Sequence, residues 1–139
     1  MIMLGKRDLA VQIAWALYGN PYMWGGDDPM AGFDCSGLVI EILKGVGLLP
    51  HKGDWTAEEL YRMFKSREVL VPQKGCLAFW GITKMTHVVF CLDEIYCMGS
   101  DDGGSKTKTL SDAIKQNAFI KVRPNNYRGK PTHFVDPFL

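Results

Sequence analysis

At 139 residues the chain is the size of one domain, and 47% hydrophobic with 22% charged residues fits a packed core rather than disorder, a collagen-like repeat or a coiled coil. Sixteen Lys and Arg against fifteen Asp and Glu leave a net charge of +1, which gives no electrostatic case for nucleic acid or for an anionic membrane surface. No apolar run reaches the roughly eighteen residues of a membrane-spanning helix, and Cys35, Cys76, Cys91 and Cys97 lack the paired spacing of structural zinc, so neither metal nor cofactor is implied.

Leu9, Ala10, Ile13, Ala14 and Leu17 recur at helical spacing and predict a first helix over about Asp8 to Tyr18, stopped by Gly19, Asn20 and Pro21. Lys6 and Arg7 ahead of an apolar stretch loosely imitate a secretion signal. Asp8 against that stretch and Gln12 within it favour a helix of the mature fold, so a protein made in the cytoplasm without a signal peptide is expected. A loop rich in Gly, Asp and Pro follows, from Tyr22 and Trp24 through Gly25, Gly26, Asp27 and Asp28 to Pro29. Leu38, Val39, Ile42, Leu43 and Val46 then mark a second helix, with Asp34 at the N-cap and Cys35 at the first helical position. Thr56 and Glu59 form a capping box for a third helix carrying Leu60, Met63 and Phe64.

Beyond Arg67 the pattern changes to short β-branched and aromatic runs: Val69 to Val71, Cys76 to Trp80, Thr86 to Leu92 and Ile95 to Met98. Asp93 and Glu94 suggest a two-residue hairpin turn. Ser100 to Lys108 is a polar, Gly-rich loop, Thr109 caps a short helix through Asn117, and Phe119 to Val122 and His133 to Val135 close the sheet. Helices first and an antiparallel sheet second make an α+β domain over residues 1–139.

A cysteine at a helix N-terminus meets unpaired backbone amides and the positive end of the helix dipole, which favour a thiolate and can receive an oxyanion. Cys35 holds that position, whereas the other three cysteines read as small buried hydrophobes. Of the histidines, His51 and His133 read as surface or packing residues. His87 opens the strongest strand, where alternation puts His87, Val89 and Cys91 on one face and Val88, Phe90 and Leu92 on the other.

The runs Gly19-Asn20-Pro21-Tyr22-Met23-Trp24-Gly25-Gly26 and Gly32-Phe33-Asp34-Cys35-Ser36-Gly37-Leu38-Val39, followed by Gly75-Cys76-Leu77-Ala78-Phe79-Trp80 and His87-Val88-Val89, resemble the signature of the NlpC-type peptidases. These are papain-like cysteine hydrolases of bacterial cell-wall peptides. The resemblance implies a papain-like fold, with Cys35 as nucleophile and His87 as general base. It also implies that Asp34 and Ser36 grip the substrate peptide and that Tyr22 lies beside the thiol, while Trp24 is expected to wall off the core. The implied partner is a peptidoglycan peptide, cut between D-glutamate and the following diamino acid. An amidase releasing the whole peptide from the sugar is the near alternative. The last third resembles members found in phages and prophages. Without a signal the protein is expected to reach the cell wall through a virion such as a phage tail, a lysis event or a secretion machine, or else to act on recycled fragments in the cytoplasm.

Two positions depart from the family pattern. Cys76 replaces an acidic residue, and the strand after His87 carries no histidine to orient its imidazole. A two-residue turn at Asp93 and Glu94 would set His87 opposite Ser100, making Ser100 the expected third residue, with Cys97, Asp101 or a backbone carbonyl as alternatives. Without a third residue the domain would instead be a catalytically silent tail or assembly protein.

Overall fold

The computed structural model describes residues 5–28 and 32–139. Helix α1 (Lys6–Leu17) begins without a side-chain cap and buries Ala10, Ala14 and Leu17. Where the sequence suggests only a loop, β1 (Asp27–Asp28) and β2 (Gly32–Phe33) form a small antiparallel ladder, and Pro29 of that loop lies outside the described residues. Helix α2 (Cys35–Gly45) starts as expected, with the Asp34 carboxylate accepting from the Gly37 N–H at 2.7 Å. Helix α3 (Ala57–Phe64) carries the Thr56/Glu59 capping box and runs into a single 3-10 turn, Lys65–Arg67.

The remaining strands are β3 (Glu68–Val69), β4 (Leu77–Gly81), β5 (Met85–Cys91), β6 (Tyr96–Ser100), β7 (Ile120–Pro124) and β8 (His133–Val135). They make one antiparallel sheet in the order β3-β8-β4-β5-β6-β7, and α4 (Leu110–Gln116) lies between β6 and β7 under a Thr109/Asp112 capping box. Strand β3 is shorter than expected because only Glu68 and Val69 find partners on β8. Leu70 then leaves the sheet and is 96% exposed.

Each strand's alternation divides the sheet into two faces. Leu77, Phe79, Val88, Phe90, Met98 and Ile120 pack under α1, α2 and α3 against Leu38, Ile42, Leu43 and Leu60. Burying each such side chain is worth about 2 kcal/mol. Cys76, Ala78, Trp80, Val89, Cys91 and Cys97 form the other face, extended by Phe134 of β8 and packed against Tyr127 from the segment between β7 and β8. All four cysteines are unbridged.

The β5–β6 hairpin departs from expectation by one residue. Its turn holds Asp93, Glu94 and Ile95, because the Asp93 carboxylate accepts from the backbone N–H of both Ile95 and Tyr96, each at 2.7 Å. The Leu92 N–H then meets the Tyr96 carbonyl at 2.9 Å, and Phe90 pairs with Met98 instead of Val89. Carried along the strands, this register sets His87 opposite Asp101, not Ser100. Among the described residues no helix is long and apolar enough to cross a membrane.

Candidate active site

Cys35 stands at the N-terminus of α2, where that helix meets the sheet, and it is partly exposed. The β5–β6 ladder ends at Phe90 and Met98. The next N–H on that edge, from Val88, is directed at the Cys35 thiol together with the Ser36 N–H. These amides favour a thiolate, but they are outweighed. Burial and the nearby Asp34 carboxylate push the thiol up to about 11, which corrects the expectation that the helix terminus alone activates it. At neutral pH the sulfur therefore keeps its proton and needs a base.

His87 lines the same cleft as Cys35. Its Nε2 lies 2.8 Å from Asp101 Oδ1 and 2.9 Å from the Tyr127 hydroxyl, and that hydroxyl donates to the same Asp101 oxygen at 2.5 Å. Burial alone would raise the Asp101 carboxyl. Hydrogen bonds from His87 and Tyr127 and the Arg123 charge reverse this and hold it below the usual carboxylate range. With Nε2 directed at a carboxylate, the imidazole carries its proton there and Nδ1 is left to accept one. Trp80 packs against the ring at 5.5 Å between centroids.

Ser100, expected to orient the histidine, does not touch it. Its buried hydroxyl donates to the Phe33 carbonyl at 2.6 Å and ties β6 to β2. Asp101 takes the place because of the extra turn residue, Ile95. Cys97 shares the face of His87 but pairs with Cys91, four residues further along β5, within the Trp80 cluster. Tyr127 carried no signal in the sequence, since it reaches the site from a loop 40 positions beyond His87.

Cys35 sits between two pockets that share Tyr22, Trp24 and Thr86. One, of about 180 Å³, is lined by His87, Asp101, Asp102, Gly103, Gly104 and Arg128. The other, of about 350 Å³, is bounded by Asp34, Ser36, Thr56, Lys84 and Met85. Tyr22 is buried against Gly103, and burial next to Cys35, Asp34 and Asp101 pushes its phenol well up, so it stays protonated. Asp34 caps α2 and accepts from Ser36 at 3.4 Å, while burial raises its carboxyl. Trp24 is 57% exposed on the rim of both pockets and does not wall off the core, and its backbone N–H donates to the Thr107 carbonyl at 2.9 Å. Asp102, on the opposite rim, is paired with Lys121 at 2.7 Å and with Arg123.

A cysteine on a helix start, set above a histidine on an antiparallel sheet with an acid behind it, is the papain-like arrangement. Residues 19–124 match the NlpC/P60 family, and the chain belongs to that family. It is 36% identical over 107 residues to the bifunctional muramidase/DL-endopeptidase CwlT of Bacillus subtilis (strain 168), a match covering 73% of this chain and 31% of that protein. The chain thus spans about a third of that relative. The fold is shared with the NlpC/p60 domain of the peptidoglycan hydrolase SagA, at a TM-score of 0.73 and 24% identity over 96% of this chain and 99% of that one. RipD from Mycobacterium tuberculosis, a non-catalytic NlpC/p60 domain protein adapted to peptidoglycan binding, is also similar, with a TM-score of 0.68 and 21% identity over 96% of this chain and 98% of that one. Because the fold occurs with and without catalysis, an activity has to be argued from the residues in the cleft.

Proposed function

We propose that the domain is a cysteine endopeptidase of peptidoglycan stem peptides that cuts the bond between D-glutamate and the following diamino acid. The observation that carries this reading is His87 in one cleft with Cys35, its Nε2 at 2.8 Å from Asp101. The name of the Bacillus subtilis relative, a DL-endopeptidase, supports the choice of bond.

In the proposed reaction His87 Nδ1 takes the thiol proton as the Cys35 sulfur attacks the scissile carbonyl carbon. The Cys35 N–H, among the unpaired amides of the helix start, receives the oxyanion. The imidazolium protonates the leaving amine as the C–N bond breaks, leaving a thioester on Cys35. Nδ1 then deprotonates water, which attacks the thioester and releases the carboxylate and the thiol. Asp34 and Ser36 bind the acyl side of the peptide, Tyr22 borders the reacting carbon, and the Asp102–Gly104 rim receives the leaving side.

Asp101, 2.8 Å from His87 Nε2 where the sequence offered no orienting histidine, supports this reading over a silent, binding-only role. Wild-type protein and Cys35→Ala incubated with defined muropeptides under reducing conditions, with products read by mass spectrometry, test the reading. New fragments from the wild type alone support a thiol hydrolase, and their masses separate cleavage after D-glutamate from amidase cleavage at the sugar. No cleavage of any muropeptide overturns it.

A further inference from the structure

The geometry points to Tyr127 as a positioning residue that works with Asp101 to fix the tautomer of His87. This deepens the reading of His87 as the base and rests on it. The hydroxyl, the imidazole Nε2 and Asp101 Oδ1 form a closed triangle with sides of 2.5, 2.8 and 2.9 Å. An ionised carboxylate only accepts, so the phenolic proton goes to Asp101 and the lone pairs of the hydroxyl face Nε2. The Nε2–H therefore lies between two acceptors. The opposite tautomer would set the Nε2 lone pair against both of them.

The triangle is held from outside the catalytic strands. Tyr127 sits on the segment between β7 and β8, where its ring meets Trp80 edge-on at 5.7 Å and Arg123 covers it at 5.1 Å. Trp80 Nε1 donates to the Gly129 carbonyl at 3.0 Å, and Asn125 Nδ2 to the Glu94 carbonyl at 3.0 Å, which pins both ends of the segment. These contacts use the ring and the backbone, not the hydroxyl. Packing alone would keep a phenylalanine here. The hydroxyl is left to serve His87 and Asp101.

The charged and titratable groups around the imidazole are Asp101 beyond β6, Tyr127 and Arg128 on the C-terminal segment, and Cys35 and Tyr22 across the cleft. Asp102 is also near but is neutralised by Lys121 and Arg123. Of these, Tyr127 hydrogen-bonds the same Asp101 oxygen as His87, while the Arg128 guanidinium stands 4.0 Å from it. Removing the Tyr127 hydroxyl takes away one of the two acceptors of the Nε2–H and frees the neutral ring to adopt either tautomer.

Tyr127→Phe keeps the ring packing and isolates the hydroxyl. We expect kcat to fall about tenfold with KM unchanged, the loss of one hydrogen bond to a charged group. The pH profile of kcat/KM is recorded beside it and is expected to differ from wild type. Added to Asp101→Asn, the substitution should cost nothing further, since the two groups act as one unit. Nitrogen NMR of the imidazole in a Cys35→Ala background should find the Nε2–H tautomer alone with Tyr127 and a mixture with phenylalanine. An unchanged kcat, pH profile and tautomer population overturn the proposal, whether or not thermal stability falls. If the wild type cleaves no peptide, the reading of the reaction fails, and the NMR comparison still decides the role of Tyr127.

Discussion

The Gly26 carbonyl occupies the space in which any side chain on Gly37 would stand: a Cβ there would lie 2.1 Å from the oxygen. This close approach presses the loop bearing Tyr22 and Trp24 onto the first turn of α2, and the Asp34 N–H seals it by donating to the same carbonyl at 3.0 Å. One face of the cleft is thereby fixed relative to the thiol.

Gly37→Ala should accordingly destabilise the fold and reduce activity together. Alanine would gain about 1 kcal/mol of helix propensity. The clash is with backbone on one side and with the capping Asp34 carboxylate on the other, at 2.8 Å, so neither neighbour yields cheaply. A net loss of about 2 kcal/mol is expected in urea denaturation. Gly104→Ala is the control, because a Cβ there meets nothing within 4 Å and its stability should be unchanged.

Asp101 and Ser100 are neighbours with different tasks, and substitution separates them. Asp101→Asn should lower kcat by about 10²- to 10⁴-fold, since an amide can present its N–H to Nε2 and favour the wrong tautomer. Ser100→Ala removes the 2.6 Å bond to Phe33 and should cost about 1 kcal/mol of stability with kcat within a few-fold of wild type. Steady-state kinetics beside thermal melts check both. The Asp101 carboxyl is held below its usual value of 3.8. Its contribution to stability is therefore full above that pH and disappears as pH falls through the lower, folded value, and Asp101→Asn should flatten the acid end of the stability curve.

Helix starts were legible in the sequence because caps are local chemistry: Asp34, Thr56 with Glu59, and Thr109 each bond amides within three residues. Cys35 was legible for the same reason, as the residue after a cap. Register was not, because one added turn residue shifts every pair of β5 and β6, and the length of the turn depends on Asp93 reaching two amides at once. Ser100 was thus expected where Asp101 stands. Tyr127 was illegible for a different cause, since only the fold brings residue 127 to residue 87. The helix dipole suggested an acidic thiol, and burial, which no spacing reveals, reversed the sign.

That reversal is measurable by alkylation. With the Cys35 thiol pushed up to about 11, iodoacetamide should label His87→Ala slowly at pH 7 and about tenfold faster per pH unit up to that value. Wild type should react faster than His87→Ala at neutral pH, because the imidazole can take the proton. Asp34→Asn preserves a good N-cap but removes the charge that is second to burial in raising the thiol, so its labelling rate at pH 8 should rise. Labelling is read at Cys35 by mass spectrometry. Cys76, Cys91 and Cys97 compete little, since all three are buried and raised, Cys97 to about 12. Rapid neutral labelling of His87→Ala would refute the burial argument.

Arg7 and Asp136 join the two ends of the chain by a 2.7 Å ion pair, with the Asp136 side chain 1% exposed. The carboxylate has few other partners: Gln73 donates to it at 3.4 Å and the Phe138 N–H at 3.0 Å. Arg7 also reaches the Lys74 carbonyl at 3.1 Å and lies over the Phe138 ring. Arg7→Ala strands a buried charge and should cost about 3 kcal/mol or more in urea denaturation. Arg7→Met with Asp136→Asn removes both charges and keeps the bulk, so it should recover much of that loss, because the penalty comes from the unpaired carboxylate. Neither residue lines the pockets beside Cys35. Below the unfolding temperature kcat should therefore match wild type in both variants. If Arg7→Ala instead lowered kcat while stability held, the ends of the chain would be coupled to the cleft, and the pair would have to be assigned to function.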